Sequence, residues 1–190
     1  MTDKINLPEA KLDLTVFSAL ADGWMLEERV LDATGAPETI KGTDASESIT
    51  VSSAFPNGED VVVNANGGND TVRGGTGNDK LNGGTGNDSI RGDPYDNPDL
   101  SSDNFTPGEN TLNGQEGNDT ILGGKGYDKI SGGTGNDSLF GDDGDDSISG
   151  SDGNDTVLGG NGNDIGNGGN DDDSIAGGSG NDTLNGGYCL

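Results

Sequence analysis

Isolated apolar residues recur at nine-residue spacing through most of the chain: Val72, Leu81 and Ile90, then Leu112, Ile121, Ile130, Leu139, Ile148 and Val157, with Ile175 and Leu184 further on. Gly166 stands where one more would fall. An amphipathic helix needs apolar positions three or four apart, and a half-buried strand needs alternation; neither pattern is present here. One buried residue per nine predicts an all-β fold of short parallel strands stacked as a β-roll, a β-solenoid. Two such units make one coil, so alternate units stack about 4.8 Å apart. Sorting by parity gives two apolar columns. Val72, Ile90, Ile121, Leu139, Val157 and Ile175 form one; Leu81, Leu112, Ile130, Ile148, Gly166 and Leu184 form the other. Facing each other, they predict a thin core.

The N-terminal part differs. Leu12, Leu14 and Val16 alternate with Lys11, Asp13 and Thr15, the pattern of a strand. Ala21-Asp22-Gly23 reads as a turn before Trp24-Met25-Leu26 and Val30-Leu31. A hairpin is preferred, with a short helix over Trp24 to Leu31 as the alternative. Residues 1–41 are expected to be a small cap over the open end of the core, or a docking segment. Residues 42–64 read as degenerate repeats: Gly42 to Thr50 with Glu47 and Ile49, then Phe55 to Val63 with Asp60 and Val62, and one extra residue, Asn64. From Ala65 the phase locks, so 65–190 is the roll proper. A loop at 94–107 interrupts one unit with about thirteen additional residues, which is not a multiple of nine. It is a surface loop or a lateral contact site. Tyr95 and Phe105 in it, with Trp24, are the candidate partner contacts.

An acid stands two residues before each apolar position, usually in the phrase Gly-Gly-x-Gly-Asn-Asp, as in Gly74 to Asp79, Gly83 to Asp88 and Gly132 to Asp137. The series is Asp70, Asp88, Asp119, Asp137, Asp155 and Asp173 on one edge. On the other it is Asp79, Asp128, Asp146, Asp164 and Asp182, with Asn110 interrupting. The turns bend too tightly for a Cβ, and turn carbonyls of glycines such as Gly75, Gly77, Gly84, Gly86, Gly133 and Gly135 face inward. Carboxylates and carbonyls together suit calcium, which takes six to eight oxygens at about 2.3–2.6 Å. With no histidine and a single cysteine, zinc and copper have no ligand set.

Composition raises the stakes of that reading. The 190 residues carry a formal charge of -26 with 27% hydrophobic and 4% aromatic content, a balance that opposes collapse unless something neutralises it. About eight to ten calcium ions would add about +16 to +20 and leave a modest negative charge. Lys and Arg total nine and form no cluster, so nucleic acid is not an expected partner. No stretch approaches a membrane span, so no membrane insertion is expected. Met1 to Leu12 lacks the basic start and apolar run of a signal peptide. Cys189 is alone and makes no internal disulfide.

No enzymatic activity is expected. A forty-residue N-terminal segment cannot host a hydrolase, and without histidine no Ser-His-Asp or Cys-His arrangement is available. Ice binding would need threonines stacked along one edge; instead Thr85, Glu116, Thr134, Asp152 and Asn170 share one column, and charges intervene.

The nonapeptide Gly-Gly-x-Gly-x-Asp-x-apolar-x resembles the repeats-in-toxin (RTX) family over residues 65 to 185, about two-thirds of the chain. That resemblance implies a right-handed roll, calcium held between stacked turns, and disorder without calcium. Three departures stand out. Asn110 replaces an aspartate beside the insertion, Asp171 replaces a turn glycine, and Gly166 leaves a gap while Ile165 shifts outward. Weaker calcium and looser packing are expected near residues 164–173. The expected role is a non-catalytic, calcium-stiffened structural or surface-assembly protein, extracellular or exposed on a cell or virus particle. It would self-associate or dock to a larger surface through its N-terminal segment. A subunit of a larger assembly, such as a virion decoration protein or a filament, is the alternative. A fragment of a secreted enzyme or adhesin is a third reading.

Overall fold

The computed structural model describes residues 12–20, 23–31, 38–51, 60–93 and 108–188. Every element among them is a strand, numbered β1 to β17 in chain order, and they form two sheets. In the first sheet β4 (Ser48–Thr50), β6 (Thr71–Arg73), β8 (Ser89–Arg91), β10 (Thr120–Lys125), β12 (Ser138–Asp143), β14 (Thr156–Asn161) and β16 (Ser174–Ser179) are parallel neighbours. In the second, β3 (Glu38–Lys41), β5 (Val61–Gly67), β7 (Lys80–Thr85), β9 (Thr111–Glu116), β11 (Lys129–Thr134), β13 (Ser147–Asp152), β15 (Ile165–Asn170) and β17 (Thr183–Asn185) do the same. Successive strands alternate between sheets, which is a β-solenoid. No helix among the described residues is long and apolar enough to cross a membrane.

The strands follow from the expected apolar columns. Ile90 pairs with Val72 and Ile121, and Leu139 with Ile121 and Val157. In the facing sheet Leu112 lies between Leu81 and Ile130, and Ile148 between Ile130 and Gly166. All of these apolar side chains are buried in one core cluster. Outward positions carry Leu122, Phe140 and Leu158 in register on the first sheet, and Asn113, Ser131, Ser149 and Asn167 on the second.

At the N-terminal end β1 (Leu12–Leu20) and β2 (Gly23–Leu31) form an antiparallel hairpin, in place of the alternative helix. It joins the first sheet through Phe17 opposite Ser48. The parallel stack starts with β3, inside the segment read as a cap, and Ile40 enters the core opposite Val63. Tyr95, Phe105 and Cys189 lie outside the described residues, and Trp24 sits opposite Ala19 in the hairpin.

One register differs from the sequence reading. Val63, not Val62, pairs with Leu81, and Asn64 pairs with Asn82, so Asn64 is not an extra residue. Val61 and Val63 share the inner face of β5 because strand side chains alternate. Three consecutive valines hid that alternation. Val61, 3% exposed, therefore holds the place of an aspartate, and Asp60 moves one column outward. The insertion behaves as expected: residues that normally bond eighteen apart, as Asp70 and Asp88 do, are there thirty-one apart, as in Asp88 and Asp119.

The core thins toward Gly166. Ile165 points outward and is 56% exposed, and Leu184 is 46% exposed. A Cβ on Gly166 would lie 3.0 Å from Leu184 Cδ2, the end of a flexible and half-exposed side chain, and 3.2 Å from Ile175 Cγ2, a branch methyl near the loosely packed last coil. Gly166→Ala should therefore stabilise the calcium-loaded protein by about 1 kcal/mol, through added burial and reduced unfolded-chain entropy. The check is the thermal midpoint, which should rise by about 2–4 °C.

Candidate metal centre

Each glycine-rich turn places one aspartate where strand and turn meet, and the two oxygens of its carboxylate have different environments. Oδ1 accepts the backbone N–H of the residue one coil earlier: Asp70 N–H to Asp88, Asp119 to Asp137 and Asp128 to Asp146, each at 2.8 Å. Oδ2 is buried and has no hydrogen-bond partner in Asp70, Asp79, Asp88, Asp119, Asp128, Asp137, Asp146, Asp155, Asp164 and Asp173. Asp182 continues the ladder by accepting from Asp164 at 3.0 Å. The eleven predicted acids thus fall in two continuous columns, six on one edge and five on the other, with Asn110 holding its place in the second.

The space beside Oδ2 is kept clear by glycine. A Cβ on Gly132 would strike Asp137 Oδ2 and come within 2.9 Å of the carbonyl oxygen of Gly150, one coil on. Gly123 stands the same way to Asp128 and to Gly141 O at 2.8 Å. These first-position carbonyls were not singled out from sequence. At the expected second- and fourth-position glycines the missing side chain answers a further need, that of close stacking between coils. Gly133 and Gly135 have φ of 121° and 123°, and a Cβ on either would collide with the carbonyl of Gln115 or Gly117 in the preceding coil. Asp171 takes such a position with φ 82°, a left-handed conformation that costs a non-glycine residue about 1–2 kcal/mol.

A second ladder went unrecognised in the sequence. The N–H of Asn87 donates to Asn69 Oδ1 at 2.9 Å, Asn118 to Asn87 at 2.8 Å, Asn136 to Asn118 at 2.7 Å and Asn154 to Asn136 at 2.9 Å. It runs opposite to the aspartate ladder, so Asn grips the following coil and Asp the preceding one. The signal was the asparagine that directly precedes most of the aspartates, replaced by Tyr127, Asp145 and Asp172 in three units.

Among the described residues no three Asp, Glu, His or Cys side chains converge. Each rung therefore combines one carboxylate with main-chain oxygens. A bare, acceptor-only oxygen set that no donor satisfies fits a hard cation and nothing softer. Comparison with protein families matches the RTX calcium-binding nonapeptide repeat in four copies, over residues 64–94, 106–130, 131–166 and 158–187. The chain belongs to that family. Neither curated proteins nor solved structures gave a significant match. RTX repeats bind calcium, and the buried aspartates recur in the pattern such sites need.

Electrostatics of the RTX turns agree. Burial, as the largest cause, pushes the carboxyl of Asp79 up to about 8, those of Asp119 and Asp128 to about 7, and those of Asp70, Asp146 and Asp155 to about 6. The backbone N–H on Oδ1 pulls each down, and neighbouring carboxylates such as Asp137 and Asp88 around Asp119 push it up again. Asp88, Asp137 and Asp164 are raised for the same first reason.

Two outcomes follow from this geometry. Because the folded carboxyls titrate above the unfolded ones, the cation-free roll takes up protons on folding between pH ~4 and the raised values near 6–8. Its stability is greatest at the acid side of that window and falls as pH rises through it. In chelator, the β signal by circular dichroism should grow from pH 8 to pH 5. Calcium, which needs ionised carboxylates, should bind more weakly over the same interval. Separately, Gly132→Ala should weaken calcium binding by about tenfold or more, equivalent to about 1.4 kcal/mol. Gly186→Ala, whose Cβ would meet nothing within 4 Å, should leave calorimetric titrations unchanged.

Proposed function

We propose that the protein is a non-catalytic structural module that acts outside the cell and is stiffened by calcium along both edges of its roll. The observation that carries this reading is the file of buried, unpartnered Oδ2 atoms. Asp70, Asp88, Asp119, Asp137, Asp155 and Asp173 would hold the ions on one edge; Asp79, Asp128, Asp146, Asp164 and Asp182 would hold them on the other. Turn carbonyls complete each set, from first-position glycines such as Gly132 and Gly150 and from the sequence-predicted Gly75, Gly77, Gly84, Gly86, Gly133 and Gly135. Bound calcium supplies positive charge where carboxylates stack.

The residues themselves hold the geometry. Glycines keep the space open, Oδ1 bonds fix each carboxylate, and the thin aliphatic columns set the spacing. Without the cation, a buried carboxylate with one oxygen that no donor reaches is costly to keep ionised, and this recurs at nearly every rung. The formal charge of -26 adds self-repulsion. Extracellular calcium modules bind with dissociation constants of ~10⁻⁴–10⁻³ M, which fits a chain that is unfolded at cytosolic calcium and folded outside the cell.

Circular dichroism and small-angle scattering in millimolar calcium and in excess chelator test this. Chelation should abolish the β signal and expand the chain, and calcium should restore both. A β signal indifferent to chelator at neutral pH overturns the reading.

A further inference from the structure

The second edge has one rung unlike the others. At Asn110 the side-chain oxygen is committed, because Oδ1 accepts the N–H of Asp79 at 2.9 Å and so fills the role of an aspartate Oδ1. The amide nitrogen therefore takes the place of Oδ2. A Cβ on Gly92 would meet Asn110 Nδ2 and Gly123 O, each at 2.6 Å, where other turns present a carboxylate oxygen. A donor at that point cannot be a calcium ligand.

The same rung has a carboxylate from elsewhere. Asp93 occupies a second-glycine position in the turn where the chain leaves for the insertion, and it is 6% exposed. Its Oδ2 accepts the N–H of Lys125 at 2.9 Å, its Oδ1 faces Asn110 Nδ2 at 3.5 Å, and the backbone N–H of Gly108 also bonds to it. Lys125 belongs to the next coil, where pairing with β8 stops at Leu122 opposite Arg91. Gly108 is the first described residue after the insertion. One carboxylate at the departure thus satisfies backbone donors at the return and in the coil above, and a side-chain amide at the return. Unlike Asp79 and Asp128 on either side, it has no unpartnered oxygen.

We infer that Asp93 and Asn110 form a cation-free clasp, in which hydrogen bonds replace calcium at the rung where the insertion leaves and rejoins the roll. It separates the rung of Asp79 from those of Asp128 to Asp182 on that edge. The inference rests on the calcium reading above, and the experiment separates the two. Calcium per chain is measured by elemental analysis after equilibrium dialysis at fixed free calcium, for the full chain and three variants. Asn110→Asp should bind one more ion than the parent. Asp93→Asn should bind the same number but exchange faster at the amides of Gly108 and Lys125 in calcium-loaded hydrogen exchange. Asp128→Asn should lose at least one ion. No gain for Asn110→Asp, or a loss for Asp93→Asn, overturns the clasp. An undiminished count for Asp128→Asn overturns the underlying calcium reading instead.

Discussion

A carboxylate oxygen withdrawn from water, with no donor beside it, is the most expensive element of this fold, and it recurs on nearly every rung. The rest of the architecture accommodates it. First-position glycines are needed because a methyl group there would overlap the oxygen. The core can be thin because it need only set the spacing between sheets, while cohesion along the axis comes from the rungs. The raised carboxyl titration is the same cost expressed as proton affinity.

Charge is distributed to match. From Ser48 onward the outward strand positions of both sheets carry mostly hydroxyls, amides, a few apolar residues and occasional Lys or Arg, and acids appear there only at strand ends, as at Glu116, Asp143 and Asp152. The acids lie in the turns, where cations can reach them. There each coil is also held from both sides, by an asparagine reaching forward and an aspartate reaching back. These bonds join adjacent coils and are uncharged in part, so they supply order even where the cation is replaced, as at Asn110.

The sequence made much of this legible. Regular spacing of Ile121, Leu139 and Val157 determined the register, because one inward residue per unit leaves no alternative face. The acids Asp70 to Asp182 fell where the spacing put them. What failed was local. Three adjacent valines concealed which two point inward, and so Asp60 was taken for a rung residue when Val61 holds that place. Asparagine before aspartate looked like ordinary turn chemistry, since its partner lies eighteen residues away and only stacking brings them together. Asp93 had no repeat to announce it; its role depends on where the chain departs.

Because both edges carry rungs and both sheets carry inward residues, the two halves of each coil are chemically near-equivalent. A length change of nine residues would therefore leave the stack intact while rotating everything downstream by half a revolution about the axis. The apolar outward file of Leu122, Phe140 and Leu158 would then emerge on the opposite flank. Gain or loss of a single unit would re-aim this surface without altering the scaffold beneath it.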